Sequence, residues 1–145
     1  MKYNFNESIG FLIVRCGRLI ENKLKIDFEK AGLHITPQQW SVLTYLWNED
    51  GIPQQQIANA FAKDKTSMTR LLNNMERNQL ISRKQSPNDK RNNYIYLTDK
   101  SNSLKIESIK IAEKSLLETI GNIDHLDLKL SRKVRKQINK NLENY

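Results

Sequence analysis

The sequence predicts a mainly α fold with a small two- or three-stranded β-wing, on three observations. Apolar residues recur at three- and four-residue spacing along most of the chain. Two short capped helical segments follow one another across a tight turn in the middle. Directly after them come two β-rich runs bridged by the polar loop SPNDKRNN. The 145 residues suffice for one domain with its own core. With 38% hydrophobic and 28% charged residues, the composition is that of a folded chain.

Taken in order, Ile9, Leu12, Ile13, Cys16, Leu19, Ile20 and Leu24 form one apolar stripe, which predicts an amphipathic helix over 8–30 ending at Ala31-Gly32. Thr36-Pro37 provides an N-cap with proline at the first helical position. Trp40, Val42, Leu43, Leu46 and Trp47 then give the buried face of a second helix, closed by Asp50-Gly51. Pro53 opens a short third helix, PQQQIANAFA. Asp64 caps a fourth, DKTSMTRLLNNMERNQ, with Met68, Leu71, Leu72 and Met75 facing inward. Strands are expected over 80–84 and 94–97, the second alternating Tyr94 and Tyr96 against Ile95 and Leu97. The order helix, turn, helix, hairpin is that of a winged helix-turn-helix, expected over 36–98. In the last third, Leu104, Ile109, Ala112, Leu116 and Ile120 mark one helix, and Leu126, Leu130, Val134, Ile138 and Leu142 another. Lys129, Arg132, Lys133, Lys136 and Lys140 are expected opposite that last stripe. A small winged-helix lobe has too little surface to cover every amphipathic helix, so the helices over 5–35 and 99–145 are expected to form a dimerisation region in a homodimer. The alternative is closure of the stripe within a monomeric helical lobe.

The formal charge of +8 is local. Residues 63–91 hold eight Lys and Arg against three acids, whereas 1–62 hold six against six and 92–145 ten against seven. A basic helix-turn-helix and hairpin point to a polyanion, since each neutralised phosphate releases condensed counterion. In this motif the first turns of the second helix enter the major groove. That makes Lys65, Thr66, Ser67, Thr69 and Arg70 the candidate readers, with Arg70 the best base contact because a guanidinium bonds two guanine acceptors at once. Asn73 and Arg77 are expected at backbone phosphates or intrachain acids, and Gln54 and Gln55 at phosphates. Arg91, with Lys90 beside it on the loop tip, is the candidate for the minor groove, whose negative potential attracts arginine.

Other classes find little support. His34 and His125 are the only imidazoles, and there is no Gly-rich phosphate loop, no HExxH and no acidic cluster at metal-ligand spacing. Neither an enzyme nor a cofactor or metal site is expected. Cys16, the single cysteine, excludes an intrachain disulfide and points to a reducing, cytoplasmic setting. Its place on the apolar stripe predicts packing as a small hydrophobe rather than redox duty. No run approaches the roughly 20 apolar residues of a membrane span, and no signal peptide is evident. Because fold alone does not fix function, a winged-helix protein-interaction module is the competing reading. It would tolerate loss of Arg70 and Arg91 and show no steep salt dependence.

The segment NDKRNNYIYLTDKS resembles the wing and following helix start of MarR-type transcriptional regulators: an acid, a spacer, an arginine, then a strand ending Leu-Thr. DKTSMTRLLNNMERNQLISRK is similar to that family's recognition helix running into the first wing strand, and GLHITPQQWSVLTYL to the entry of its second helix. Nearly the whole chain is covered. The resemblance implies a dimer with intertwined terminal regions, Asp89 holding the wing through a salt bridge to an arginine, and Arg83 and Lys84 at the wing base near phosphates. It also implies sequence-specific binding of double-stranded DNA, typically as a repressor on a pseudo-palindromic operator, and a possible small-molecule effector of unknown identity. Gln79 and Ser101 depart from the pattern where the family commonly has glycine.

Overall fold

The computed structural model describes residues 4–143; of the expected terminal regions, residues 144 and 145 lie outside the described residues. Six helices and three short strands follow in the order α1 (Ile9–Lys30), α2 (Pro37–Asn48), β1 (Ile52–Pro53), α3 (Gln54–Ala60), α4 (Lys65–Arg77), β2 (Ile81–Gln85), β3 (Asn93–Leu97), α5 (Asp99–Ile120) and α6 (His125–Glu143). A single 3-10 turn, Phe5–Glu7, precedes α1. The chain forms two compact units, divided within α5 after Ser115. No described helix is long and apolar enough to cross a membrane.

Each helix start has a local cause. The Ser8 hydroxyl accepts from the Phe11 amide at α1. Thr36 and Gln39 form a reciprocal capping box at α2, with Pro37 at the first position. Asp64 accepts from the Ser67 amide at α4. Three helices also end alike. The amides of Leu33, Lys63 and Leu80 each reach back five residues, to the carbonyls of Phe28, Ala58 and Met75, around a left-handed residue: Gly32 (φ +74°), Ala62 (φ +48°) and Gln79 (φ +59°). This is the Schellman closure, which favours glycine. Gln79 thus occupies a glycine conformation, and its departure from the family pattern is a strained one.

The lobe core gathers Phe28 from α1, Val42, Leu43 and Leu46 from α2, Ile57 from α3, Met68, Leu72 and Met75 from α4, and Ile81 and Ile95 from the sheet. Each such side chain contributes about 1.5–3 kcal/mol of transfer free energy. The sheet order is β1-β3-β2, antiparallel throughout, with Ile81 opposite Leu97 and Gln85 opposite Asn93. Pro53, expected inside α3, lies in β1 opposite Tyr94 in extended backbone, so α3 starts one residue later. Gly51 (φ +69°) makes this turn possible, since a Cβ there would stand 2.7 Å from Tyr96 Cε1.

Two sequence expectations are corrected. Cys16 is exposed, as are Ile9, Leu12 and Leu19, because the N-terminal part of α1 stands clear of the lobe core, which takes Phe28 and part of Leu24. On α5 the buried positions are Ser101, Ser108 and Ser115 at seven-residue spacing; of the apolar residues that marked this helix, Leu104 packs against the core, as does Ile111. Leu116 is exposed. Serine fits because its hydroxyl bonds back to its own helix, Ser101 to the Thr98 carbonyl at 3.0 Å and Ser108 to that of Lys105 at 3.2 Å, which leaves a small, satisfied face. Ser115 also donates to Asp27 of α1. With the Lys23 ammonium as the larger cause, it holds that carboxyl below the usual aspartate range.

The apolar stripe of α6 is not buried. Leu126, Leu130, Val134 and Leu142 are exposed, and Ile138 is half-buried. The basic residues are not segregated opposite the stripe: Lys129, Arg132, Lys133, Lys136 and Lys140 all line a shallow groove together with Leu126 and Leu130.

Candidate nucleic-acid interface

The helix-turn-helix is α3 and α4, and it stands beside the β2–β3 hairpin. Asp64 sets the first turn of α4, with the Ser67 hydroxyl donating to Asp64 Oδ2 at 2.7 Å and the Ser67 amide to Oδ1 at 2.9 Å. These two bonds hold the Asp64 carboxyl below its ordinary pKa, so the cap is ionised at neutral pH. The Thr69 hydroxyl donates to the Lys65 carbonyl at 2.8 Å and accepts from Gln54 Nε2 at 3.0 Å, tying α3 to α4. The hydroxyl protons of Ser67 and Thr69 are therefore engaged within the protein. Lys65, Thr66 and Arg70 are exposed on the same turns, while Met68 and Leu72 anchor the helix in the core. Gln55 Nε2 donates to Asn59 Oδ1 at 2.9 Å, one turn along α3.

The opposite end of α4 is fixed by residues that sequence patterns did not single out. Gln39, only 4% exposed, donates to Asn74 Oδ1 at 2.7 Å while its own carbonyl oxygen caps α2, and Asn78 donates to the same Asn74 oxygen at 3.1 Å. The pattern Thr-x-x-Gln signals the Thr36–Gln39 cap and not the bonds that Gln39 and Asn78 make to Asn74. Past the helix, the Thr98 hydroxyl donates to the Gln79 carbonyl at 2.7 Å and Lys100 to that of Asn78 at 2.9 Å. The carbonyls that follow α4 are thereby satisfied, while its own last turn is closed by the Asn78, Leu80 and Gln79 amides on the Asn74, Met75 and Glu76 carbonyls.

In the hairpin the two-residue alternation of a strand parts Arg83 from Lys84. Arg83 Nη1 meets Glu76 of α4 at 2.7 Å, whereas Lys84 lies over the Tyr96 ring, 4.7 Å from its centroid. At the tip Asp89 accepts from the Arg91 amide at 3.0 Å, Arg91 Nε at 3.4 Å and Asn92 Nδ2 at 3.2 Å. The acid organises the loop and leaves the Arg91 side chain 93% exposed. Lys90 is exposed beside it.

Between α3, α4 and the hairpin lies a cleft of about 340 Å³. It brings together Gln54, Gln55, Lys65, Thr69, Asn73, Arg83 and Arg91 from among the expected contacts; Arg70 and Arg77 line a separate shallow surface with Asn73, Asn74 and Glu76. Of the expected residues, Thr66, Ser67, Lys84, Asp89 and Lys90 line neither. Among the described residues no group of three or more His, Cys, Asp or Glu is placed to hold a metal ion.

A MarR family model matches residues 35–92, the helix-turn-helix and most of the hairpin. The transcriptional regulator MgrA of Staphylococcus aureus is 32% identical over 117 residues, which is 78% of this chain and 76% of that protein. The chain belongs to the MarR family. MarR members are transcriptional regulators, so this one is a regulator and not an enzyme. Its fold is shared with CouR of Rhodococcus jostii RHA1, solved with p-coumaroyl-CoA (TM-score 0.78, 19% identity, 94% of this chain and 95% of the other). It is shared equally with reduced AbfR, solved on DNA (TM-score 0.76, 22% identity, 92% and 91%).

Proposed function

We propose that this MarR-family protein is a sequence-specific repressor that binds a pseudo-palindromic operator as a homodimer, α4 in the major groove and the wing in the minor groove. The observation that carries the reading is the cleft between α4 and the hairpin that gathers Lys65, Asn73, Arg83 and Arg91, with Arg70 on the adjoining surface that shares Asn73. It is a cationic, amide-rich surface with an arginine projecting from the wing tip. Base reading falls to Arg70, and also to Thr66, whose side chain is exposed on the first turn. Phosphate contacts fall to Lys65, Gln54, Gln55, Asn73 and Arg77, and Arg91 suits the narrow minor groove. Support for DNA as the partner comes also from AbfR, whose structure was solved on DNA.

The homodimer is supported by the uncovered stripes of α1 and α6, seven large apolar side chains among Ile9, Leu12, Leu19, Leu126, Leu130, Val134 and Leu142. So large an apolar exposure marks an interface. Two-fold symmetry then sets two half-sites about one helical turn apart. A small-molecule effector is part of the proposal because CouR was solved with p-coumaroyl-CoA; its chemistry here is open.

Selection of duplexes from a random library by the purified protein, followed by titration of the winner and a scrambled control across a salt series, tests the reading. An inverted repeat with a steep salt slope is expected. No motif and uniformly weak binding would instead make the lobe a protein-interaction module. Sedimentation of Leu130→Glu/Val134→Glu checks the dimer: the wild type is expected at twice the chain mass and the variant at one.

A further inference from the structure

We propose that Glu76, an acid on a DNA-facing helix, is a positioning residue for DNA: it fixes the Arg83 guanidinium at the cleft between α4 and the hairpin, where Arg83 holds one backbone phosphate. The inference rests on the DNA-binding reading above. Glu76 Oε2 and Arg83 Nη1 lie 2.7 Å apart and join the recognition helix to β2. The burial is unequal, with the Arg83 side chain 16% exposed and that of Glu76 42%. The acid thus sits at the wet edge and the cation is held in. Arg83 Nε is enclosed and has no acceptor among the described residues, so the bond to Glu76 is what orients the group. A guanidinium carries five N–H donors, and one carboxylate oxygen on Nη1 leaves others to serve an anion.

The surroundings select the anion. Arg83 lines the cleft with Lys65, Asn73 and Arg91, and no Asp or Glu is among the lining residues. Lys65 and Asn73 come from α4 and Arg91 from the wing tip, so an anion seated there touches both DNA-facing elements at once. A phosphodiester fits a planar guanidinium fork flanked by an ammonium and an amide. Lys84, adjacent in sequence, is held over Tyr96 and does not line the cleft.

The sign of one substitution separates this role from a bystander acid. Simple electrostatics has Glu76→Gln tighten DNA binding, because a negative charge near phosphates is removed. Positioning has it weaken binding although the protein becomes more positive. The full-length protein is titrated with a mixed-sequence duplex over a salt series, as wild type, Glu76→Gln, Arg83→Met and the double variant, with thermal unfolding of each. Glu76→Gln is expected to weaken binding about tenfold, the order of one charge-assisted hydrogen bond. Its salt slope is expected to fall by about 0.9, one phosphate's counterion. On the Arg83→Met background the same change is expected to leave affinity unchanged or improved. Equal or tighter binding by folded Glu76→Gln overturns the inference while leaving the DNA reading intact. A wild type without salt-dependent duplex binding overturns both. If Glu76→Gln is unfolded at the assay temperature, Arg83→Lys takes its place. Keeping the charge but not the fork, it is expected to preserve the slope and lose affinity, and unchanged affinity overturns the inference.

Discussion

Gln39 donates to Asn74 at 2.7 Å across the lobe, from the first turn of α2 to the third turn of α4. Because Gln39 is almost fully buried and also caps α2, its loss removes two hydrogen bonds at once, leaving the Thr36 amide without its cap and Asn74 Oδ1 with Asn78 alone. Gln39→Ala is expected to destabilise the lobe by about 1–3 kcal/mol, the cost of leaving buried groups unsatisfied. Urea unfolding of Gln39→Ala, Asn74→Ala and the double variant checks this: the two losses should be less than additive, and full additivity would deny the coupling.

The left-handed residues that end α3 and α4 are improvable. Ala62 and Gln79 sit where α1 has Gly32, and a side chain in that conformation costs about 1–2 kcal/mol, partly offset by the extra freedom glycine loses on folding. Gln79→Gly and Ala62→Gly are each expected to raise stability by about 0.5–1 kcal/mol. A lower denaturation midpoint in either would mean that the side chain makes a contact worth more than the strain.

Asp64 gives the lobe an acid limit. Its folded pKa lies below the unfolded value of about 3.9, so between the two the unfolded chain binds more protons. The contribution is complete above the unfolded value and disappears as pH falls through the folded one. Asp64→Ala should therefore lower the melting temperature at pH 7 and leave it nearer the wild type at the acid end. A constant difference across that window would separate the cap from its charge.

Arg70 and Lys65 are expected to fail differently. Arg70→Ala should relax base preference at one position of each half-site, losing about 1–3 kcal/mol of discrimination. Lys65→Ala should weaken all duplexes alike and reduce the salt slope by about 0.9. Selection and salt titration of both variants decide it, and identical loss of sequence preference would refute the division of roles.

Much of this was legible because it is local. Caps such as Thr36 and Asp64, the 3.6-residue periodicity of α2 and α4, and the basic segment around the wing are patterns in neighbouring residues, and they led to the winged helix-turn-helix. The family resemblance agreed with them. Residue pairings across the fold left no such trace. Arg83 and Lys84 are adjacent basic residues in the sequence, yet strand alternation places one at Glu76 and the other on Tyr96. Ser67 and Thr69 read as free hydrogen-bonding groups until the Asp64 carboxylate and the Gln54 amide are seen to engage them.

The sequence by itself determined the elements, their order and the location of the positive charge, since backbone propensity, capping and periodicity act over a few residues. Only the tertiary structure decided which polar groups of α4 and the hairpin are engaged within the protein, that α5 packs through serines, and that Cys16 and the α6 stripe stay uncovered in a single chain. Those outcomes depend on what the rest of the fold brings against a residue, and periodicity finds an apolar face without saying what covers it.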